Sequence, residues 1–216
     1  MPATDSAMAS PMGSSESGTS AAMGQKWTSG WATPGILGTL IFGMITILTG
    51  LWILPHPYGD GFKADVTGIA FMGYAAAALL LFVGVVAFLE GHQFWGTAFL
   101  GYAGFWGAWS YALHHFGWFG SGYGAAGFAF IWMLFTLTFL VSSLKHGWGA
   151  VFAFLLLWVA FVLLIIAFWQ TGAGTHISNN EYWAIGGEWV FTGLVWWYGG
   201  LAQLTNHTYG KKILPT

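Results

Sequence analysis

Six apolar stretches run from Ala32 to Asn206, and all five lysines lie outside them. The chain has no arginine. Each stretch is close to the roughly 20 residues that a helix needs to cross the hydrocarbon of a bilayer. Charged residues make up 6% of the chain, against about 25% in an ordinary soluble domain. The expectation is an integral membrane protein, all-α, with a pathway for something small and no fixed cation inside the bilayer to hold an anion. The stretches are continuous rather than alternating, which excludes a transmembrane barrel.

The helices are predicted near 32–54, 67–89, 94–113, 122–144, 148–170 and 184–206. Pro55 to Asp60 separates the first two, and Glu90-Gly91-His92-Gln93 reverses the chain into the third. His114-His115 and Gly120 to Gly122 separate the third from the fourth, and Lys145-His146-Gly147 turns the fourth into the fifth. Thr171 to Glu181, the most polar loop, leads into the sixth. An even number of spans puts both termini on one side, with Lys26, Lys145, Lys211 and Lys212 against Lys63 alone on the other. The positive-inside rule makes that side the cytoplasm. Residues 1–26 are rich in Ser, Ala, Gly and Met and read as a disordered tail, and 27–216 as the transmembrane domain. The tail lacks the apolar core of a signal peptide.

Two helix faces carry polar groups. On the first, Thr39, Phe42, Thr46 and Thr49 follow at spacings of three, four and three, which is one side of an α-helix. They line a narrow passage, or the hydroxyls bond only to their own preceding carbonyls. Thr33-Pro34 opens the same helix, as N-cap and first helical residue. Its free N–H groups and dipole would favour an anion, or it is a plain helix start. On the sixth, Glu188, Thr192, Gly199 and Gln203 share a face. Glu188 is the only carboxylate within a predicted span, about 9 Å into a helix that begins near Tyr182. It is a candidate for proton coupling, or an interfacial acid favoured by the helix start. Gly68, Gly73 and Ala75 to Ala78 in the second helix, and Gly101, Gly104 and Gly107 in the third, suit close helix approach. Most of the 15 tryptophans read as interfacial belts. The seven histidines lie in loops or at helix ends; adjacent His114 and His115 should point apart, and no metal site is expected.

Zero cysteines exclude thiol chemistry. No phosphate loop, dinucleotide fingerprint or nucleophile elbow is present, so neither an enzyme nor a cofactor is expected. The net charge of -2 implies no nucleic-acid partner.

Taken in order, the segments resemble the acetate uptake transporter family, of the succinate–acetate permease type. Thr33-Pro34-Gly35-Ile36-Leu37-Gly38, then Phe42-Gly43-Met44, is similar to that family's N-P-A-P-L-G-L signature and the F-G-M after it. Glu90-Gly91, Phe94, Thr97-Ala98-Phe99 and Tyr102-Ala103-Gly104-Phe105-Trp106 resemble its E…G-N-T-F-G-x-T-A-F-x-S-Y-G-x-F-W block. Trp197-Tyr198, Asn206 and Tyr209 to Pro215 resemble its sixth helix and F-G-R-x-x-L-P ending. Thr33 and Ile36 replace the signature's Asn and second Pro, the first loop is longer, and the tail is extra.

The resemblance implies a six-helix protomer around its own pathway, assembled as a homohexamer in the plasma membrane. It implies movement of acetate or similar small carboxylates, usually with protons. It also implies a narrowing at Phe42, Tyr102 and Leu157. Burying a bare carboxylate costs about 20 kcal/mol in the idealised Born limit, which favours passage with a proton. The alternative is a passive channel for a neutral solute such as urea, a short amide or ammonia. A third class, a non-transporting subunit of a membrane enzyme, would leave the threonine stripe facing helices with no pore.

Overall fold

The computed structural model of the protein describes residues 34–55, 66–116 and 122–215. Thr33, Lys26, Lys63, His56 and the tail expected over 1–26 lie outside the described residues. The architecture is all-α: α1 (Pro34–Ile53), α2 (Val66–Leu89), α3 (Gln93–Phe116), α4 (Tyr123–Ser143), α5 (Trp148–Gly172) and α6 (Asn179–Tyr209). No strand occurs among the described residues. By length and composition α1, α2, α4 and α5 are each apolar enough to span a membrane. α3 and α6 are the more polar helices, and the groups that make them so include Ser110 and Thr192, both fully buried. Large apolar side chains instead cover the outside, Phe71, Phe82, Ile131 and Val141 among them, each more than half exposed. A lipid or subunit environment suits such a surface; water does not.

The helices associate as three antiparallel pairs, α1 with α6, α2 with α3, and α4 with α5. Lipid tails supply no hydrophobic drive between helices, so packing and close approach must hold them. The α1–α6 seam shows how. Gly43 and Gly50 on α1 face Gly186, Gly193 and Gly200 on α6, all at seven-residue spacing. A Cβ on Gly50 would stand 2.5 Å from the Val190 backbone nitrogen, and one on Gly193 would stand 2.6 Å from that of Ile47. The two backbones therefore touch. Elsewhere the small-residue expectation holds unevenly: Gly73 is closed against Ser110 of α3, whereas Gly104 has only Trp132 near it, at 3.8 Å.

Two boundaries differ from expectation. α3 runs on to Phe116, so His114 and His115 lie in its last turn rather than in a loop. Their rings do not point apart; the centroids are 4.8 Å apart, with Tyr111 4.3 Å from His115. α6 starts at Asn179, five residues before the expected 184. Ser178 caps it: the Ser178 hydroxyl accepts from the Glu181 N–H, and the Glu181 carboxylate accepts from the Ser178 N–H at 2.7 Å. This reciprocal box is written in the sequence as Ser178-x-x-Glu181. At the other end Gly210, at φ 63, takes the left-handed cap that turns the chain back. Glu188 therefore sits nine residues in, about 13 Å from the helix start, deeper than the sequence reading placed it.

The hydrogen bonds from the Ser178 backbone, the Ser178 hydroxyl and Gln170 hold the Glu181 carboxyl below the ordinary glutamate range. Glu181 thus stabilises the fold fully above the unfolded value, near pH 4.3, and that contribution is lost as pH falls through the lower folded value. Melting of detergent-solubilised Glu181→Gln should lack this acid limb, and Ser178→Ala should flatten it; identical acid limbs in wild type and Glu181→Gln would reject the assignment. At the α1–α6 seam, alanine gains about 1 kcal/mol of helix propensity over glycine, so steric and propensity effects oppose each other. Gly50→Ala and Gly193→Ala should nonetheless lower the melting temperature. Gly187→Ala, with nothing within 4 Å, should raise or leave it, and the same order should appear in size-exclusion monodispersity.

Candidate functional site

At the face where α1 begins and α6 ends, a cavity of about 680 Å³ opens between α1, α3, α5 and α6. Thr39, Trp95, His146, Ala153, Trp196 and Gln203 line it. A smaller space of about 170 Å³ adjoins it, sharing Thr39, Trp95 and Gln203 and adding Pro34, Gly35, Ala87 and His92. Neither lining contains Lys, Asp or Glu. The start of α1 borders the smaller space through Pro34 and Gly35. The chain end folds back over the larger one. Asn206 accepts from the backbone N–H of Ile213 and Leu214, at 2.6 and 2.8 Å, and donates to the Leu214 carbonyl at 2.8 Å. The Tyr198 hydroxyl donates to the Pro215 carbonyl at 3.2 Å, and Pro215 joins the lining.

Beyond this cavity the protein closes on aromatic rings. Phe42 is the hub, with its centroid 4.9 Å from Tyr102, 4.8 Å from Trp196 and 6.2 Å from Trp106. Trp196 also meets Phe154 of α5 at 4.9 Å. Phe42, Tyr102 and Leu157 are each 1% exposed. Phe42 and Tyr102 are thus brought into contact. Leu157 lies in the same buried core, one turn beyond Phe154, and Phe154 rather than Leu157 makes the aromatic contact from α5.

The first-helix stripe faces inward along its whole length: Thr39 is 5% exposed, and Thr46 and Thr49 are fully buried. Thr39 donates to the Gly35 carbonyl at 2.7 Å and Thr46 to that of Phe42 at 2.7 Å. These hydroxyls are satisfied by their own helix, yet Thr39 still presents to the cavity. The Thr49 hydroxyl has no partner. The Tyr102 hydroxyl finds its partner inside the protein. It bonds to Thr136 of α4 at 2.9 Å, and Thr136 donates to the Trp132 carbonyl at 2.8 Å, so Tyr102 is the donor to Thr136. On α6, Gly199 and Gln203 line the cavity, while Thr192 donates to one Glu188 oxygen at 2.6 Å. The other Glu188 oxygen is buried without a partner.

Several functional candidates escaped the sequence reading. Trp196, Phe154, Thr136 and Trp95 escaped because each has many residues of its own kind in the chain, and nothing in the sequence marks which of them face inward. The tryptophans divide sharply. Trp148 and Trp169 are exposed at helix ends, as belt residues are, but Trp106, Trp109 and Trp189 are at most 1% exposed in the core. The belt reading fails for these because they sit mid-helix, where aromatic partners from other helices cover them.

The model of the GPR1/FUN34/yaaH family matches residues 17–215. A protein of Methanothermobacter thermautotrophicus, itself uncharacterized, is 32% identical over 200 residues, covering 86% of this chain and 91% of its own length. The ammonia transport outward protein 3 of Saccharomyces cerevisiae is 30% identical over 134 residues, 58% of this chain and 46% of that protein. The structure of the bacterial acetate channel SatP superposes with a TM-score of 0.70 at 27% identity, covering 85% of this chain and 98% of that one.

Tyr102→Phe should cost about 1 kcal/mol, one buried hydrogen bond, because Thr136 keeps its bond to Trp132. Tyr102→Ala should cost about 3–5 kcal/mol, since it empties the space beside Phe42. Melting curves of the purified variants check this; equal loss in both would mean that the hydroxyl, not the ring, holds the narrow point.

Proposed function

The chain belongs to the GPR1/FUN34/yaaH family, and we propose accordingly that it carries acetate and related short carboxylates across the cell membrane together with protons. One observation carries this reading: a cavity whose lining holds no Lys, Asp or Glu reaches Trp196, which packs on Phe42 and, through it, on Tyr102. Such a passage is narrow, aromatic and free of cations. A bare anion loses its hydration there without a countercharge, and a proton travelling with it removes most of that penalty. The acetate channel SatP, alike over nearly its whole length, supports the same substrate class.

In this scheme Thr33 and Pro34 form the mouth, on the cytoplasmic side. Thr39 with Gln203 lines the vestibule, and Phe42, Tyr102 and Leu157 form the narrowing, with Thr46 behind it. The protomer has its own pathway, and the apolar outer faces suit packing into a homohexamer. Glu188 is the proton-coupling group. It is held deep in α6 by one hydroxyl, with an oxygen left over to exchange a proton.

A neutral solute is the second reading, since a relative in yeast is named for outward ammonia transport. Purified protein in liposomes separates the two. Labelled acetate uptake should exceed that of empty vesicles and rise with an inward proton gradient, while urea and ammonia should not exceed the empty-vesicle rate. The reverse pattern would replace the carboxylate reading. Glu188→Gln should keep acetate uptake at zero gradient but lose most of the gradient's effect. A pH profile that overlays wild type would move the coupling proton onto the substrate itself.

A further inference from the structure

Four of the described tryptophans bury an indole N–H without a hydrogen-bond partner, and three of them, Trp106, Trp189 and Trp196, lie in the core. They are 1%, 0% and 3% exposed. A buried donor without a partner forfeits its hydration, so proteins rarely leave one, and each instance asks for an explanation. Three in contact with one another through the same ring cluster ask for a common one.

Their order in depth is set by the helices. Trp196 lines the large cavity and touches Phe42 at 4.8 Å. α1 and α3 run parallel, with Gly38 closed against the Phe99 ring. Trp106 is seven residues past Phe99, hence about 10 Å deeper, whereas Phe42 is only about 6 Å deeper than Gly38. Trp106 touches Phe42 at 6.2 Å and Trp189 at 6.2 Å. Trp189 precedes Trp196 by seven residues on α6, which runs the opposite way, so it lies about 10 Å further from the cavity. The sequence Trp196, Trp106, Trp189 therefore leads from the cavity past Phe42 into the core.

We propose that the indole N–H groups of Trp196, Trp106 and Trp189 are the carboxylate-coordinating donors of this pathway, passing the carboxylate head from one to the next past Phe42 while the proton that travels with it offsets its charge. This rests on the carboxylate reading above. The chemistry selects the ligand. An indole nitrogen donates and cannot accept, so a row of these N–H groups rewards a solute rich in acceptors. A carboxylate has two acceptor oxygens and makes stronger bonds than a neutral group. Uncharged donors also hold an anion without trapping it, unlike a lysine or arginine, and the chain has neither in its spans.

The test uses the whole protein labelled with ¹⁵N at the indole nitrogen, in detergent micelles, so that it does not depend on transport. Titration with sodium acetate should move three indole resonances downfield, and acetamide at equal concentration should move them far less. Trp196→Phe, Trp106→Phe and Trp189→Phe, which keep an aromatic ring, should each delete one of those resonances. In liposomes each should weaken acetate uptake roughly tenfold, as loss of a bond to a charged group does. If a variant does not fold, the wild-type titration still decides. No shift with acetate, or an equal shift with acetamide, overturns the donor relay. Shifts without acetate uptake would keep the donor site and sink the transport reading, and uptake without shifts would do the opposite.

Discussion

Contact between the α1 and α6 backbones is the constraint from which the rest of this structure follows. Gly43 and Gly50 interlock with Gly186, Gly193 and Gly200, and a methyl group at Gly50 or Gly193 would meet main-chain nitrogen within 2.6 Å. In a bilayer the apolar faces of helices gain little by leaving lipid. Close packing of glycine against backbone supplies the association instead. Because the two helices touch, the side chains flanking the seam are forced to one side of it. Phe42 and Trp196 consequently meet at 4.8 Å, on the inner flank.

That seam also explains where polar groups go. α3 and α6 are the polar helices, yet Ser110 and Thr192 are fully buried while Phe71, Phe82 and Ile131 face out. A membrane protein must satisfy or enclose its polar atoms away from lipid. Many are satisfied locally, as with Thr39, Thr46 and Thr136, which bond to carbonyls three or four residues back. Others are left as open valences, among them Thr49, one oxygen of Glu188 and the indoles of Trp106, Trp189 and Trp196. The three indoles adjoin the aromatic hub around Phe42, and a transported solute is the partner that the proposed function offers them.

In the proposed pathway the cavity and its floor would divide the labour of selection. The lining near the chain ends holds no Lys, Asp or Glu and is mixed, with Thr39, Gln203 and His146 among aromatic rings. The floor is almost wholly aromatic, and its one strong polar link, Tyr102 to Thr136, is spent on holding α3 to α4. Tyr102 therefore acts through the size and position of its ring. Rings join α3 to α4 beside this bond, Tyr102 with Phe135 and Phe105 with Trp132 among them, so the bond and those rings together hold Tyr102 in place.

Much of this was legible in the sequence. Continuous apolar runs determined six helices, because a bilayer admits few other backbone arrangements, and all the expected helices exist. The threonine stripe was legible because hydroxyls stand out against apolar neighbours at helical spacing. The early start of α6 was written in Ser178 and Glu181, although loop polarity masked it. What the sequence could not decide was which of its many aromatic residues meet. Trp196 and Trp197 are adjacent tryptophans on one helix, one 3% exposed and the other 37%. Only the tertiary structure separated them, because inward and lipid-facing sides of a membrane helix are both apolar and leave no periodic signal. The physical reason is the solvent: without water on one side there is no amphipathic contrast, so helix pairing, set by glycine contacts far apart in the chain, alone assigns each ring to the pathway or to the lipid.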